Sequence, residues 1–393
     1  MAWPAAGDGS LGKAFRSGTH RTRPPAETLL RYAAAAEPCG ITRLANVTGL
    51  DSIGVPVFVA VRPLARSVVT SMGKGLDAAS ARASALMESL ETWHAEHVDA
   101  PLRHGSAQAL RRLGLPVVDP LSLPLAAGAR PEQVRPDTWV EGYDLLRDRP
   151  VWVPLDAVSM DFVGLRPDAV PGLLRDSNGL ASGNHLVEAA VHALCEIVER
   201  DATARWRAGP DLRRVDLATV TDPSCRYLLD KLTGAGVRAA VWDVTSHVGI
   251  PAYGCVLLQH PSAALWYNAG VHDGFGCHLS PAVAIARAVT EAVQTRMAYI
   301  CGVREDIGRA ELAAAADLDV MTRVWHELDE VPATVAFRTT DTSGADLRAD
   351  LDAVLAALAA AGCEDAVVVD LSRQSLGVPV VKALVPGLAG AVP

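Results

Sequence analysis

Residues 178–203 read NGLASGNHLVEAAVHALCEIVERDAT. A glycine-rich turn at 178–183 leads into an alanine-rich stretch from about His185 to Trp206 that holds no proline or glycine. That composition predicts one long helix. On a helix Glu188, His192, Glu196 and Glu199 step by four, four and three residues and so share one narrow face. Arg200 follows directly. The remaining residues are mostly Ala, Val, Leu and Ile, which leaves little polar face beyond this one and turns its carboxylates inward.

Two further stretches repeat the pattern. Residues 71–91, SMGKGLDAASARASALMESLE, carry Gly73-Lys74-Gly75 and then Ser84, Glu88 and Glu91. Residues 274–297, GFGCHLSPAVAIARAVTEAVQTRM, carry Gly274 and Gly276 and then Arg287, Glu291 and Gln294. Each is expected to be a glycine turn feeding a helix; Ser280-Pro281 suits the third as N-cap and first helical residue. In all three a polar residue is followed four residues later by Glu and seven later by Glu or Gln.

If the three faces converge, Glu88, Glu91, Glu188, Glu196, Glu199 and Glu291 repel one another unless cations sit between them. Hard divalent ions with oxygen ligands suit that task, and Mg²⁺ commonly bridges carboxylates to phosphates. Lys74, Arg200 and Arg287 supply positive groups of the kind that hold phosphate, while Ser84, Asn184 and Gln294 add neutral hydrogen bonds. The set predicts a nucleotide bound through several Mg²⁺ ions. A plainer reading makes Glu196–Arg200 and Arg287–Glu291 surface ion pairs, worth a few tenths of a kcal/mol each. Three faces sharing one spacing argue against it.

Other candidates carry less. Residues 73–78 match a GxGxxA dinucleotide fingerprint, but the stretch about 20 residues on, where an acidic strand end belongs, still reads as helix. His94 and His97 read as surface histidines and Cys195 as core filler. His278 suits either a nucleotide contact or a turn. Arg304-Glu305-Asp306 suits either a loop salt bridge or a substrate contact.

The chain has 393 residues, half of them apolar, and 36 basic against 45 acidic side chains, a formal charge of −9. That balance excludes a general nucleic-acid binder, which needs a concentrated basic surface. No apolar run reaches the about 18 residues of a membrane span, and the first residues do not form a secretion signal. Seven scattered cysteines, with no CxxC, fit neither a disulfide framework nor a zinc site. A cytoplasmic protein is expected. Residues 1–25 read as a loosely ordered arm and 26–393 as a single catalytic domain. Its alternating elements make it mixed α/β, with helices packed on sheet. Strands are expected at 55–61, 67–71, 237–244, 252–259, 333–338 and 366–371, helices at 77–98, 309–328 and 345–362, and a proline-punctuated tail closes the chain.

The three blocks together resemble the YcaO family, ATP-dependent enzymes that activate peptide-backbone amides. The stretches GITRLANVTGLDSIGVPVFVAVRP (40–63) and VPVVKALVPGL (378–388) look like its TfuA-associated branch, linked to thioamide formation and trifolitoxin processing. The resemblance implies a YcaO-type fold and ATP held through Mg²⁺ on glutamates. Glu88 and Glu91 fall on the first acidic pair, Glu188, Glu196, Glu199 and Arg200 on the second block, and Arg287 and Glu291 on the third. Asn184 matches the family's Asn-bearing turn. Ala181 departs from members that place a nucleotide-contacting Ser there, and no nucleotide contact carries over to residues 1–30. The PxPxP ending of many azoline-forming members is absent, since Pro379 and Pro386 are spaced differently.

In the mechanism this implies, an external nucleophile adds to an amide carbonyl, the oxyanion takes the γ-phosphoryl group of ATP, and phosphate then leaves. Thioamide formation on a precursor peptide, with a TfuA-like partner, is the expected activity. Azoline or amidine formation, or a non-catalytic nucleotide-binding scaffold, are the alternatives. A separate leader-peptide-binding protein and a homodimer are also expected. No catalytic base is identified.

Overall fold

The computed structural model describes Trp3 and residues 11–163, 172–209, 213–265, 270–304 and 307–388. Helix α1 (Pro25–Tyr32) precedes the antiparallel strands β1 (Arg43–Asn46), β2 (Val57–Val61) and β3 (Thr70–Lys74), and β3 feeds helix α2 (Ala78–Glu96). Then come β4 (Leu102–His104), α3 (Ala107–Arg112), β5 (Thr138–Asp144) and β6 (Arg149–Pro154). Strand β7 (Leu180–Ser182) feeds α4 (Leu186–Ala208). After β8 (Val215–Asp216), α5 (Pro223–Gly234), β9 (Val237–Asp243) and β10 (Ala252–Gln259), strand β11 (His272–Cys277) feeds α6 (Pro281–Cys301). The chain closes with α7 (Arg309–Ala315), α8 (Leu318–Glu330), β12 (Val335–Ala336), α9 (Leu347–Ala360), β13 (Val367–Asp370) and β14 (Val380–Leu384).

Two three-stranded antiparallel sheets, β1-β2-β3 and β11-β10-β9, accompany a larger sheet in the order β4-β5-β13-β14-β7, with β6 on the other edge of β5. The expected mixed α/β class, helices on sheets, is what forms. The pattern seen three times in the sequence is therefore a strand–helix unit used three times: β3–α2, β7–α4 and β11–α6.

The glycine-rich stretches differ from expectation. Gly73 lies in β3, and Gly274 and Gly276 lie in β11, so these are strands rather than turns. Their glycines serve close packing. A Cβ at Gly73 would lie 2.0 Å from the backbone nitrogen of Ala85, one at Gly274 2.1 Å from that of Ala292, and one at Gly276 2.1 Å from the carbonyl oxygen of Ala284. Helix backbone thus rests directly on strand backbone, and alanines on α2 and α6 complete the fit.

Apolar faces hold the three helices. Helix α4 buries Ala190, Leu194 and Val198 in one cluster with Val381 and Ala383 of β14 and Leu351 and Val354 of α9. Helix α6 buries Val289 and Val293 with Cys255 and Leu257 of β10 and Leu228 of α5. Asp77 caps α2 by accepting from Ser80 N at 2.7 Å. Ser280 and Pro281 hold the N-cap and first positions of α6 as expected, but the Ser280 side chain makes no cap hydrogen bond; its hydroxyl engages Asp341 instead.

Three more expectations change. The helix foreseen at 309–328 is two, because Asp317 caps a new start at α8. The tail contains β14, buried at every residue between β13 and β7. The described part of the arm is pinned rather than loose. Phe15 and Arg21 exchange backbone hydrogen bonds around Gly18, whose φ of 68° suits glycine. The Lys13 ammonium reaches the Asp350 carboxylate of α9 at 2.7 Å, with both side chains fully buried. All seven cysteines are free thiols, and among the described residues no helix is long and apolar enough to cross a membrane.

Substituting Gly276→Ala drives a Cβ into helix backbone, so it should lower unfolding free energy by about 3 kcal/mol. Gly234→Ala, where a Cβ meets nothing within 4 Å, should stay within about 0.5 kcal/mol. Urea unfolding of both variants against the wild type checks the contrast.

Candidate active site

Helices α2, α4 and α6 turn their polar faces into one chamber of about 900 Å³. Lys74, Ser84, Glu88, Glu91, Asn184, Glu188, Glu196, Glu199, Arg200, Arg287, Glu291 and Gln294 all line it. None of its six glutamates is exposed. The surface-ion-pair reading therefore fails: Arg200 lies 4.0 Å from Glu196 and 3.9 Å from Glu199, with the Glu199 side chain only 2% exposed.

Each wall has its own bonding. Glu188 accepts from the backbone and side-chain nitrogens of Asn184 at one oxygen, 3.1 Å each, and from Thr22 N and Oγ1 at the other, 2.8 and 2.7 Å. Glu91 accepts from Ser182 N and Oγ at 2.8 and 2.7 Å. Ser182 thus occupies the chamber wall, whereas Ala181 is buried in β7 against Val381. Lys74 Nζ donates to Glu291 at 2.6 Å, and Gln294 Nε2 donates to the Met72 carbonyl at 2.8 Å. Arg287 Nη1 lies 3.2 Å from His192 Nδ1.

Crowding of carboxylates away from bulk water shifts their protonation. Burial pushes Glu91 up to about 8, helped by Glu88 and Glu196 and opposed by the Ser182 hydrogen bonds. Burial likewise raises Glu196 to about 7 against the pull of Arg200, and Glu88 to about 6 against that of Lys74. Glu199 is raised by burial and by Glu291. Glu291 goes the other way: burial raises it, but Lys74 and Arg200 together outweigh that and hold it at about 2.

A divalent cation fits these donors. The set is hard oxygen, burial pushes Glu88, Glu91, Glu196 and Glu199 up, and Glu199 Oε2 is buried without a hydrogen-bond partner. Arg287 Nε and Gln294 Oε1 are also buried without partners.

The structure adds chamber residues that sequence reading passed over. Arg21, Arg23 and Thr28 bring the N-terminal arm and α1 into the wall, Asp176 and Tyr299 contribute as well, and His192, already placed on the α4 face, proves to line the chamber too. The spacing of His192 was visible in the motif. Ser17-Gly18 is a turn dipeptide that could have pointed to a folded arm. Of the Arg304-Glu305-Asp306 stretch, Arg304 lines the chamber, and Glu305 and Asp306 lie outside the described residues. His94 is fully buried, not at the surface, and its Nδ1 donates to the Leu90 carbonyl at 2.7 Å. Cys195 is buried in the core as expected.

His278 lies edge-on to His20, ring centroids 4.8 Å apart, outside the chamber. His20, His278 and Asp350 bring ligand-type atoms within 4.8 Å of one another, but Lys13 already supplies Asp350 with a cation. His278 Nδ1 accepts from Ser280 N at 2.9 Å, which puts the ring proton on Nε2 and unsuits it as a ligand.

A family model described as YcaO cyclodehydratase, ATP- and Mg²⁺-binding, matches residues 72–389. The chain belongs to the YcaO family. It is 34% identical over 395 residues to an uncharacterized protein in the tfuA 3′ region of Rhizobium leguminosarum bv. trifolii, covering 98% of this chain and 92% of that protein. It is 36% identical over 375 residues to an uncharacterized protein of Methanothermobacter thermautotrophicus, covering 93% and 94%. Among solved structures, the YcaO of Methanopyrus kandleri bound with AMPPCP and Mg²⁺ superposes with a TM-score of 0.76 at 25% identity, covering 97% of this chain and 95% of that one. A heterocyclase in complex with substrate and cofactor shares the fold with a TM-score of 0.75 at 23% identity, covering 99% and 55%. The YcaO family binds ATP and Mg²⁺, and both are cofactors of this ATP-utilising class.

The raised carboxyls make a prediction about pH. Glu88, Glu91 and Glu196 hold protons in the folded state that they release near 4.5 when unfolded. The native state then binds more protons than the unfolded one, so without metal stability should fall as pH rises from about 5 to 8. Mg²⁺, which needs these carboxylates ionised, should reverse the trend. Melting temperatures across that range in EDTA and in Mg²⁺ test the sign.

Proposed function

We propose that this chain is an ATP- and Mg²⁺-dependent enzyme that activates backbone amides of a precursor peptide and converts them to thioamides with a TfuA-like partner. The observation that carries the chemistry is the convergence of six glutamates with Lys74, Arg200 and Arg287 on one chamber. In this reading the nucleophile comes from outside the protein. The likeness to the protein of the tfuA 3′ region supports sulfur as that nucleophile.

In this reading hydrosulfide adds to the amide carbon and leaves an oxyanion. The oxyanion oxygen bonds to the γ-phosphorus as the bond to ADP breaks. The O-phosphorylated hemiorthoamide-type adduct then loses phosphate from carbon and the proton from sulfur, leaving C=S. The balance is amide, hydrosulfide and ATP to thioamide, ADP and phosphate. Bound Mg²⁺ supplies charge neutralisation on the triphosphate, with Glu88, Glu91, Glu196 and Glu199 as its holders. Arg200, Arg287 and Lys74 hold phosphate oxygens, and the rigid strand–helix packing keeps them in place, so the protein contributes position and charge rather than a covalent step. Ring closure by a Cys, Ser or Thr of the peptide is the second reading, favoured by the cyclodehydratase description of the family.

Calorimetric titration of ATP should show binding that requires Mg²⁺ and falls by more than about tenfold in Glu196→Ala, since one hydrogen-bonded charge contact is worth about 1.5–3 kcal/mol. With peptide, partner, sulfide and ATP, mass spectrometry should show oxygen replaced by sulfur. Loss of water without sulfur gain would indicate ring closure, and binding without any turnover a scaffold.

A further inference from the structure

Arg287 stands apart from other cations of the chamber. Lys74 is paired with Glu291 at 2.6 Å, and Arg200 lies within 4.0 Å of Glu196 and Glu199. Arg287, among the described residues, forms no ion pair; its one hydrogen-bond partner is the Nδ1 of His192 at 3.2 Å, and its Nε is buried without a partner. A guanidinium only donates, so Nδ1 of His192 must accept, and the proton of the neutral ring sits on Nε2.

The surroundings keep the ring neutral. Burial lowers its pKa well below 6.5, and Arg287, Arg21, His278 and Lys74 all act in the same direction. Position agrees with this assignment: His192 sits one helical turn from both Glu188 and Glu196, on the chamber face of α4, across from Arg287 on α6. A carboxylate in its place would hold Arg287 more strongly but would cancel its charge. A neutral acceptor fixes the guanidinium without adding a carboxylate in contact with it, which leaves its remaining N–H donors for an anionic ligand.

We propose that His192 is a positioning residue: its neutral imidazole accepts from Arg287 and aims that guanidinium, held in no ion pair, at the triphosphate. The inference rests on the chamber being the nucleotide site.

The test measures binding of Mg²⁺·AMPPCP to the full-length protein by calorimetry, with melting temperature as the folding control. His192→Leu should weaken binding about ten- to a hundredfold, the range of a hydrogen bond to a charged group. His192→Asn, whose side-chain oxygen takes the place of Nδ1, should stay within about threefold, whereas His192→Gln, which places its polar group at Nε2, should behave like His192→Leu. In an Arg287→Lys background, adding His192→Leu should cost little more than Arg287→Lys alone, because the two act through one contact.

Unchanged binding in folded His192→Leu overturns the proposal. Equal binding by His192→Asn and His192→Gln overturns it too, and that comparison decides the matter if His192→Leu does not fold. Loss in Arg287→Lys with full binding in His192→Leu removes the proposal and leaves the nucleotide site intact. Wild-type affinity in Arg287→Lys removes Arg287 from the nucleotide site, and the proposal falls with it.

Discussion

Like charges gathered away from water repel, and the repulsion among Glu88, Glu91, Glu196, Glu199 and Glu291 is what the rest of this fold has to withstand. Three devices do so. Arg200, Lys74 and Arg287 offset part of the charge, protons taken up by Glu91 and Glu196 offset more, and a close-packed frame prevents the walls from moving apart. The frame depends on glycine. With Gly73 under α2 and Gly274 and Gly276 under α6, helix and strand backbones touch, leaving no loose layer of side chains to give way.

The same frame explains why the site uses helices rather than loops. Steps of four and three residues along α4 stack His192, Glu196 and Glu199 on one line, and the buried alanines and leucines behind them fix that line against β14 and α9. A metal site built this way cannot adjust its donors far, which favours an ion with strict octahedral demands over one that tolerates irregular cages. Mg²⁺ is such an ion.

The helices, and the face each turns inward, could be read from sequence because both follow from local period: polar residues at repeated spacing in an otherwise apolar stretch have one way to face. Strands β9, β10 and β13 were legible for a similar reason, being short and mostly apolar runs. What failed was whatever depends on a distant neighbour. Gly274 and Gly276 look like a turn until α6 is laid on them. Strand β14 looks like a tail because Pro379 and Pro386 bracket it, although a proline just before a strand costs no ladder bond. The arm looks loose because its anchors, Asp350 for Lys13 and Glu188 for Thr22, lie over 160 residues away. His192 was legible as a spacing but not as a partner, since its role depends on Arg287 from another helix.

Hydrogen-bond partners divide the six glutamates further than their spacing does. Glu188 has each oxygen occupied by two neutral donors, which join the arm to the Asn184 turn and leave it little capacity for a metal. Glu291 is matched by Lys74. Glu88, Glu91, Glu196 and Glu199 are the ones whose carboxyls are pushed up, and all four come from α2 and α4. In the proposed reading Glu88, Glu91, Glu196 and Glu199 would therefore hold the metal, and Arg287 of α6 would take phosphate. A triphosphate in the chamber would find Arg200 and Lys74 as well as Arg287 to hold its oxygens. Bonding within the chamber thus sets apart the carboxyls left for a metal from Glu188 and Glu291, which are already taken.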